Sequence, residues 1–113
     1  MENVDKIINQ YIKAAIEYGK AAEEGVAVKV NKNADIIWNL RKEIKNNREI
    51  GLQVLEPLLE HESGYVRLKA AYDLLPIQTE KAERVLEELV KKKRLLGFEA
   101  KMLLEEWRKG NLK

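Results

Sequence analysis

Residues 55 to 76, Leu-Glu-Pro-Leu-Leu-Glu-His-Glu-Ser-Gly-Tyr-Val-Arg-Leu-Lys-Ala-Ala-Tyr-Asp-Leu-Leu-Pro, constrain the fold more than any other stretch of this chain. They read as one helical hairpin with a charged residue inside its apolar stripe. At about 100° per residue, Val66, Leu68, Ala70, Ala71, Leu74 and Leu75 form a broad apolar arc, and Arg67 projects from its middle. An arginine so placed needs an acidic partner, because a guanidinium taken out of water unpaired is costly. Ser63 is placed to cap the second helix of the hairpin. Pro76 stops it, since proline has no amide donor and disfavours helical geometry in the residue before it.

The remaining segments also show helical spacing. Val4, Ile8, Tyr11, Ile12, Ala15, Ile16, Gly19 and Ala22 share one face of a first helix, which Gly25 is placed to end. A second helix is expected over about 26–46, with Val30, Ile36, Ile37, Leu40 and Ile44 inward and Asn33 among them as a satisfied buried polar group. Asn47 can cap a third through Gln53, Val54, Leu58 and Leu59. Thr79 can cap a fifth that begins with Glu80 and Glu83 and ends with Lys91, Lys92 and Lys93, the order the helix dipole favours. A sixth is expected over about 96–109, with Gly110 as its terminator. No strand candidate competes with these helices.

The hairpin recurs. Leu55-Glu56-Pro57-Leu58-Leu59 aligns with Leu86-Glu87-Glu88-Leu89-Val90, and Val66-Arg67-Leu68-Lys69-Ala70 with Phe98-Glu99-Ala100-Lys101-Met102, at offsets of 31 (55 to 86) and 32 (66 to 98) residues. The pattern resembles a HEAT-type repeat, although such repeats usually run to about 40 residues or more and the first two helices match poorly. The expected architecture is all-α: a short right-handed solenoid of three stacked hairpins, six helices in one domain over residues 1–113. A narrower resemblance rests on Val66-Arg67 with Ala70-Ala71, Leu74-Leu75-Pro76, Phe98-Glu99-Ala100, the closing Glu106-Trp107-Arg108-Lys109-Gly110, and Asn33 with Ala34. These resemble a small family of uncharacterised bacterial proteins with HEAT-like helices. What that resemblance implies is an adaptor-like role without catalysis. Some small bacterial proteins of similar appearance are immunity partners of secreted toxins, a link by association only.

Composition narrows the chemistry. Twenty-one basic against 19 acidic residues leave a net charge of +2, too little for a general drive toward nucleic acid or anionic lipid. The chain has no cysteine, which removes disulfides and thiolate chemistry and suits a reducing cytoplasm. It has no run like a signal peptide and none of the roughly 20 apolar residues a membrane span needs. The expectation is a cytoplasmic protein without membrane partner, metal or cofactor.

Catalytic residue types are scarce, and an enzyme is not expected. The single serine and single histidine, Ser63 and His61, lie two apart in a turn with no third group to orient them, so a helix cap is the better reading of Ser63. His61 has no second histidine beside it, and Glu87-Glu88 and Glu105-Glu106 point about 100° apart on a helix, so neither pair converges. The repeat alignment sets Arg67 and Glu99 at one position of neighbouring hairpins, an expected structural ion pair, with Glu62 as the alternative partner of Arg67.

Candidate binding residues lie opposite the apolar arcs. Tyr65, Lys69, Tyr72 and Asp73 are expected on the solvated side of the fourth helix, joined by Trp38 and Lys42 (with Asp35) of the second and Lys101, Glu105 and Arg108 of the sixth. Mixed signs and aromatics favour a folded protein partner, in the most specific form a secreted bacterial toxin domain. The alternative is a nucleic-acid-backbone binder using Lys42, Lys45, Arg48, Lys69, Lys101, Arg108 and Lys109.

Overall fold

Two tyrosines decide how the first helix faces inward. In the computed structural model, which describes the backbone of residues 2–47 and 50–112 and the side chains from Val4 onward within them, helix α1 spans Glu2–Glu24. It buries Ile7, Tyr11, Ala14, Ala15, Tyr18 and Ala21. The expected stripe shares Tyr11, Ala15 and Gly19 with this face, but Ile8, Ile12 and Ala22 are only half-buried and Ile16 is exposed. The sequence carries two overlapping apolar stripes. The one holding both Tyr11 and Tyr18 prevails, because each aromatic ring offers about 150–250 Å² for burial.

Gly25 ends α1 as expected. Its φ is +75°, its amide donates to the Ala22 carbonyl at 3.2 Å, and the Val26 amide donates to that of Ala21 at 2.9 Å. This pair of bonds is a Schellman closure, which a left-handed glycine makes without Cβ strain. Helix α2 (Ala27–Asn46) follows at once and packs on α1 as a hairpin. It buries Ile37, Leu40 and Ile44, while Ile36 is exposed against expectation. Asn33 is half-buried, and its Nδ2 donates to the Lys29 carbonyl one turn back at 2.9 Å. These helices belong to the first of two compact units, Met1–Leu55; the second is Glu56–Lys113.

The third helical segment is not an α-helix. Residues Leu52–Glu60 form a 3-10 helix with Pro57 inside it. Proline at 57 removes the amide that would bond four residues back, and its ring crowds that carbonyl. The buried residues Leu52, Leu55 and Leu58 recur every three positions, so the three-residue turn brings them to one side. Asn47 does not cap this helix. Its carbonyl instead accepts from the amides of Ile50 at 3.2 Å and Gly51 at 3.1 Å, closing a turn ahead of it.

In the second unit, Ser63 caps α3 (Gly64–Leu74), its hydroxyl accepting from the Val66 amide at 3.4 Å. Helix α3 stops before Pro76. Helix α4 (Thr79–Val90) has Gln78 at its N-cap; Thr79 does not cap it, because its hydroxyl turns back to donate to the Leu75 carbonyl at 2.7 Å. Glu80 stands in the first turn, but Lys91 is already the C-cap, so Lys92 and Lys93 lie beyond the helix rather than in its last turn. Helix α5 (Arg94–Arg108) starts two residues earlier than expected, with Arg94 at φ +67°. It closes on Gly110 with the same pair of bonds as α1: Gly110 to the Trp107 carbonyl at 3.0 Å, Asn111 to that of Glu106 at 2.9 Å. Six helical segments and no strand occur among the described residues.

Gly97 is buried in α5 where the preceding turn folds back, and a Cβ there would run into the Lys92 backbone carbonyl. A Cβ at Gly25 would meet nothing within 4 Å. Gly97→Ala is therefore expected to cost about 3 kcal/mol through overpacking. Gly25→Ala carries only the left-handed backbone penalty of about 1–2 kcal/mol. Urea unfolding of both variants measures the difference, and a cheaper change at Gly97 than at Gly25 would refute this account of the turn.

Candidate functional site

Helix α3 packs against both α4 and α5, so it has no fully solvated side. It buries Val66, Leu68, Ala70, Ala71, Asp73 and Leu74, which lie around much of its circumference. The expectation that Tyr65, Lys69, Tyr72 and Asp73 form a solvated face is corrected accordingly: Asp73 is 2% exposed, and the other three are half-buried.

Lys69 is the chemically unusual member. Burial pulls its ammonium below the ordinary 10.5, and the carboxylates of Glu99 on α5 and Asp73 one turn along α3 draw it back only in part. Two carboxylates thus act on one half-buried lysine within this unit. Removing a single member of such a group strands the others, at a typical cost of about 3–5 kcal/mol.

Arg67, in the middle of the apolar arc, has a different role. Its Nη1 donates to the carbonyls of His61 at 2.7 Å and Glu62 at 3.2 Å, closing the turn after the 3-10 helix. The His61 ring joins the same turn, its Nδ1 accepting from the Ser63 amide at 3.0 Å. Ser63 and His61 are thereby held as parts of a helix cap, with the serine hydroxyl directed at Val66. Arg67 also lines a cleft of about 530 Å³ with Glu56, Lys81 and Glu88. There Glu56 accepts from Lys81 at 2.5 Å and from Gln78 at 2.9 Å, bonds that hold its carboxyl below the usual 4.5.

On α5, Lys101 and Glu105 are exposed. Arg108 is held toward α4, its Nη2 3.0 Å from Glu87 and 3.9 Å from Glu83. Sequence reasoning missed Phe98 and Met102, which are 59% and 43% exposed on the same helix. They are one turn apart, and that spacing was the available signal.

In the first unit Trp38 is 50% exposed on α2. The Arg41 guanidinium lies 5.3 Å and the Lys42 ammonium 6.0 Å from its ring centroid. Both distances suit cation–π attraction, and both residues sit one turn along from Trp38. Lys42 was anticipated and Arg41 was not, although a cation at i+3 from an aromatic is a readable pattern. Lys45 is exposed on α2, and Lys109 caps α5, whereas Arg48 lies outside the described residues. No helix among the described residues is long and apolar enough to cross a membrane.

The unfolded Lys69 keeps its proton to about 10.4, while the folded one releases it earlier. Between those two values the unfolded state binds more protons, so stability rises with pH across that window. Lys69→Gln is expected to flatten the rise in denaturant titrations. A double-mutant cycle should give Lys69 and Glu99 a coupling of about 1–3 kcal/mol, and Arg67 and Glu99 a smaller one. The reverse order would make Arg67 the principal partner of Glu99.

A crystal structure of the protein RPA1889 from Rhodopseudomonas palustris CGA009 superposes with a TM-score of 0.88 at 23% identity, over 97% of this chain and 92% of that one. At that identity the likeness is one of fold. No curated protein matches. The domain of unknown function DUF2019 matches residues 5–107, nearly the whole length, and the chain therefore belongs to the DUF2019 family.

Proposed function

We propose that this chain is a non-catalytic protein-binding module with HEAT-like hairpins, and that it holds a folded partner by an aromatic anchor on α2. The observation that carries this reading is the half-exposed Trp38 with Arg41 and Lys42 against its ring. Tryptophan and arginine are the residue types most enriched at binding hot spots. An aromatic ring also loses little conformational entropy when covered, and here neighbouring cations already restrict it. The second unit, taken by itself, offers contacts of both signs through the exposed Lys101 and Glu105 and through Arg108. Within that unit Tyr65, Tyr72 and Lys69 are half-buried, and the buried Asp73 acts through Lys69.

The HEAT-like reading draws support from the packing of α3 against α5, the second helices of successive hairpins. A non-catalytic role fits the capture of the only serine and histidine in a helix cap. The most specific form of the proposal is neutralisation of a bacterial toxin domain in the cytoplasm, which suits a small, cysteine-free chain. The competing form is a nucleic-acid-backbone binder, for which Lys42, Lys45, Lys101 and Lys109 would supply the cations.

Trp38→Ala is expected to leave the melting temperature nearly unchanged, while affinity for a partner co-purified from the native cell falls by about 2 kcal/mol or more. Tyr65→Ala and Tyr72→Ala should lower stability as well, since both rings are half-buried. Salt separates the two forms: nucleic-acid affinity falls steeply and linearly on a log–log plot, a protein hot spot much less. Unchanged affinity in Trp38→Ala, or a steep salt slope, overturns the proposal.

A further inference from the structure

The hairpin α1–α2 contains a groove of about 510 Å³, within the range of about 300–1,000 Å³ typical of binding sites. Its walls come from positions 10, 13, 14 and 17 of α1 and 29, 32, 33 and 36 of α2. Each set follows the i, i+3, i+4, i+7 spacing of a single helix ridge, so the groove runs between two ridges for roughly 10 Å. Three of its side chains are lysines, Lys13, Lys29 and Lys32, and one is acidic, Glu17. Among the described residues none of these lysines is in an ion pair, and Glu17 stands 3.9 Å from Lys20, which is outside the groove. Ala14 is buried and Ile36 is 36% exposed, which gives the groove apolar surface between its charges.

Ammonium groups gathered in this way favour an acidic occupant by complementarity of potential. The lining also limits which acidic occupant fits. A net charge of only +2 supplies no wide field for a nucleic-acid backbone. The apolar surface at Ala14 and Ile36 has no use for a bare inorganic anion. A span of roughly 10 Å accommodates about three residues of extended chain.

We propose that the groove takes an acidic segment of the partner protein, its carboxylates against Lys13, Lys29 and Lys32 and one apolar side chain between them on Ala14 and Ile36. This rests on the protein-binding reading and specifies the partner's chemistry. The groove is separate from the Trp38 anchor: at 100° per residue, Ile36 and Trp38 point to opposite sides of α2.

The experiment titrates the isotope-labelled full chain with an end-blocked Asp-Glu-Leu-Glu-Asp peptide and, in parallel, with an oligothymidylate of equal charge. Amide shifts are expected within 10–17 and 29–36. The pair Lys13→Glu and Lys32→Glu should weaken peptide binding about tenfold, as loss of steering and complementarity requires. Lys13→Gln with Lys32→Gln, which removes charge without reversing it, should weaken it less but in the same direction. Lys91→Glu, an exposed change in the second unit, should stay within about twofold, because a charge outside the groove acts mainly through the general field. Equal weakening by Lys91→Glu, shifts confined to other residues, or tighter oligothymidylate binding in the groove would each overturn the inference. Failure of the groove with Trp38-dependent partner capture intact removes this inference alone, whereas loss of Trp38 dependence removes the protein-binding reading.

Discussion

A half-buried ammonium, that of Lys69, sets the terms for the second unit. Helix α3 packs on two neighbours, so Lys69 cannot reach water as freely as a surface lysine, and its charge must be met within the protein. Asp73 meets it from the same helix and Glu99 from α5. The attraction to Glu99 opposes sliding of α3 along α5, because such a slide would separate the charges. Apolar contacts alone would tolerate such slippage better, since they carry little direction. It follows that Asp73 can be almost wholly buried without a penalty for stranding a carboxylate.

The connections between helices are as constrained as the core. Arg67 closes the turn after the 3-10 helix by donating to two carbonyls, and Gly97 gives the turn before α5 room to fold back on its own helix. Arg94 takes up a left-handed backbone in that same turn, which a non-glycine residue adopts only at some cost. The second unit thus tightens its loops with side chains and close backbone contact, where the first uses a single glycine between α1 and α2.

Local signals were legible and shared ones were not. Gly25, Ser63, Pro76 and Gly110 act through their own backbone geometry or a bond to a near neighbour, and each marks a boundary where the sequence places it. The inward face of α1 was misread because two apolar stripes overlap, and only packing against α2 chooses between them. The 3-10 helix was hidden for a related reason. Leu52, Leu55 and Leu58 fit a period of three, but Leu55, Leu58 and Leu59 also fit an α-helix, and Pro57 breaks the tie. Asp73 was placed outside because its neighbour Tyr72 and the turn-mate Lys69 look like a wet face; a helix covered on two sides has none. Trp38 was legible as an exposed aromatic since α2 has a narrow apolar stripe, but the groove between α1 and α2 needs both helices at once and no single segment announces it.

That narrow stripe is the main argument that α2 does more than fill space. Of its twenty residues only Ile37, Leu40 and Ile44 are buried, so most of the helix could be polar at no cost to the fold. It nonetheless exposes Val28 at 79%, Trp38 at 50% and Ile36 at 36%. Single exposed apolar residues are common on any protein and explain little by themselves. Here, however, the largest of them is flanked by Arg41 and Lys42, and another borders a groove with three lysines. Apolar surface framed by charge thus lies on two sides of one helix, and a protein partner that covered either side would bury area and meet complementary potential in the same contact.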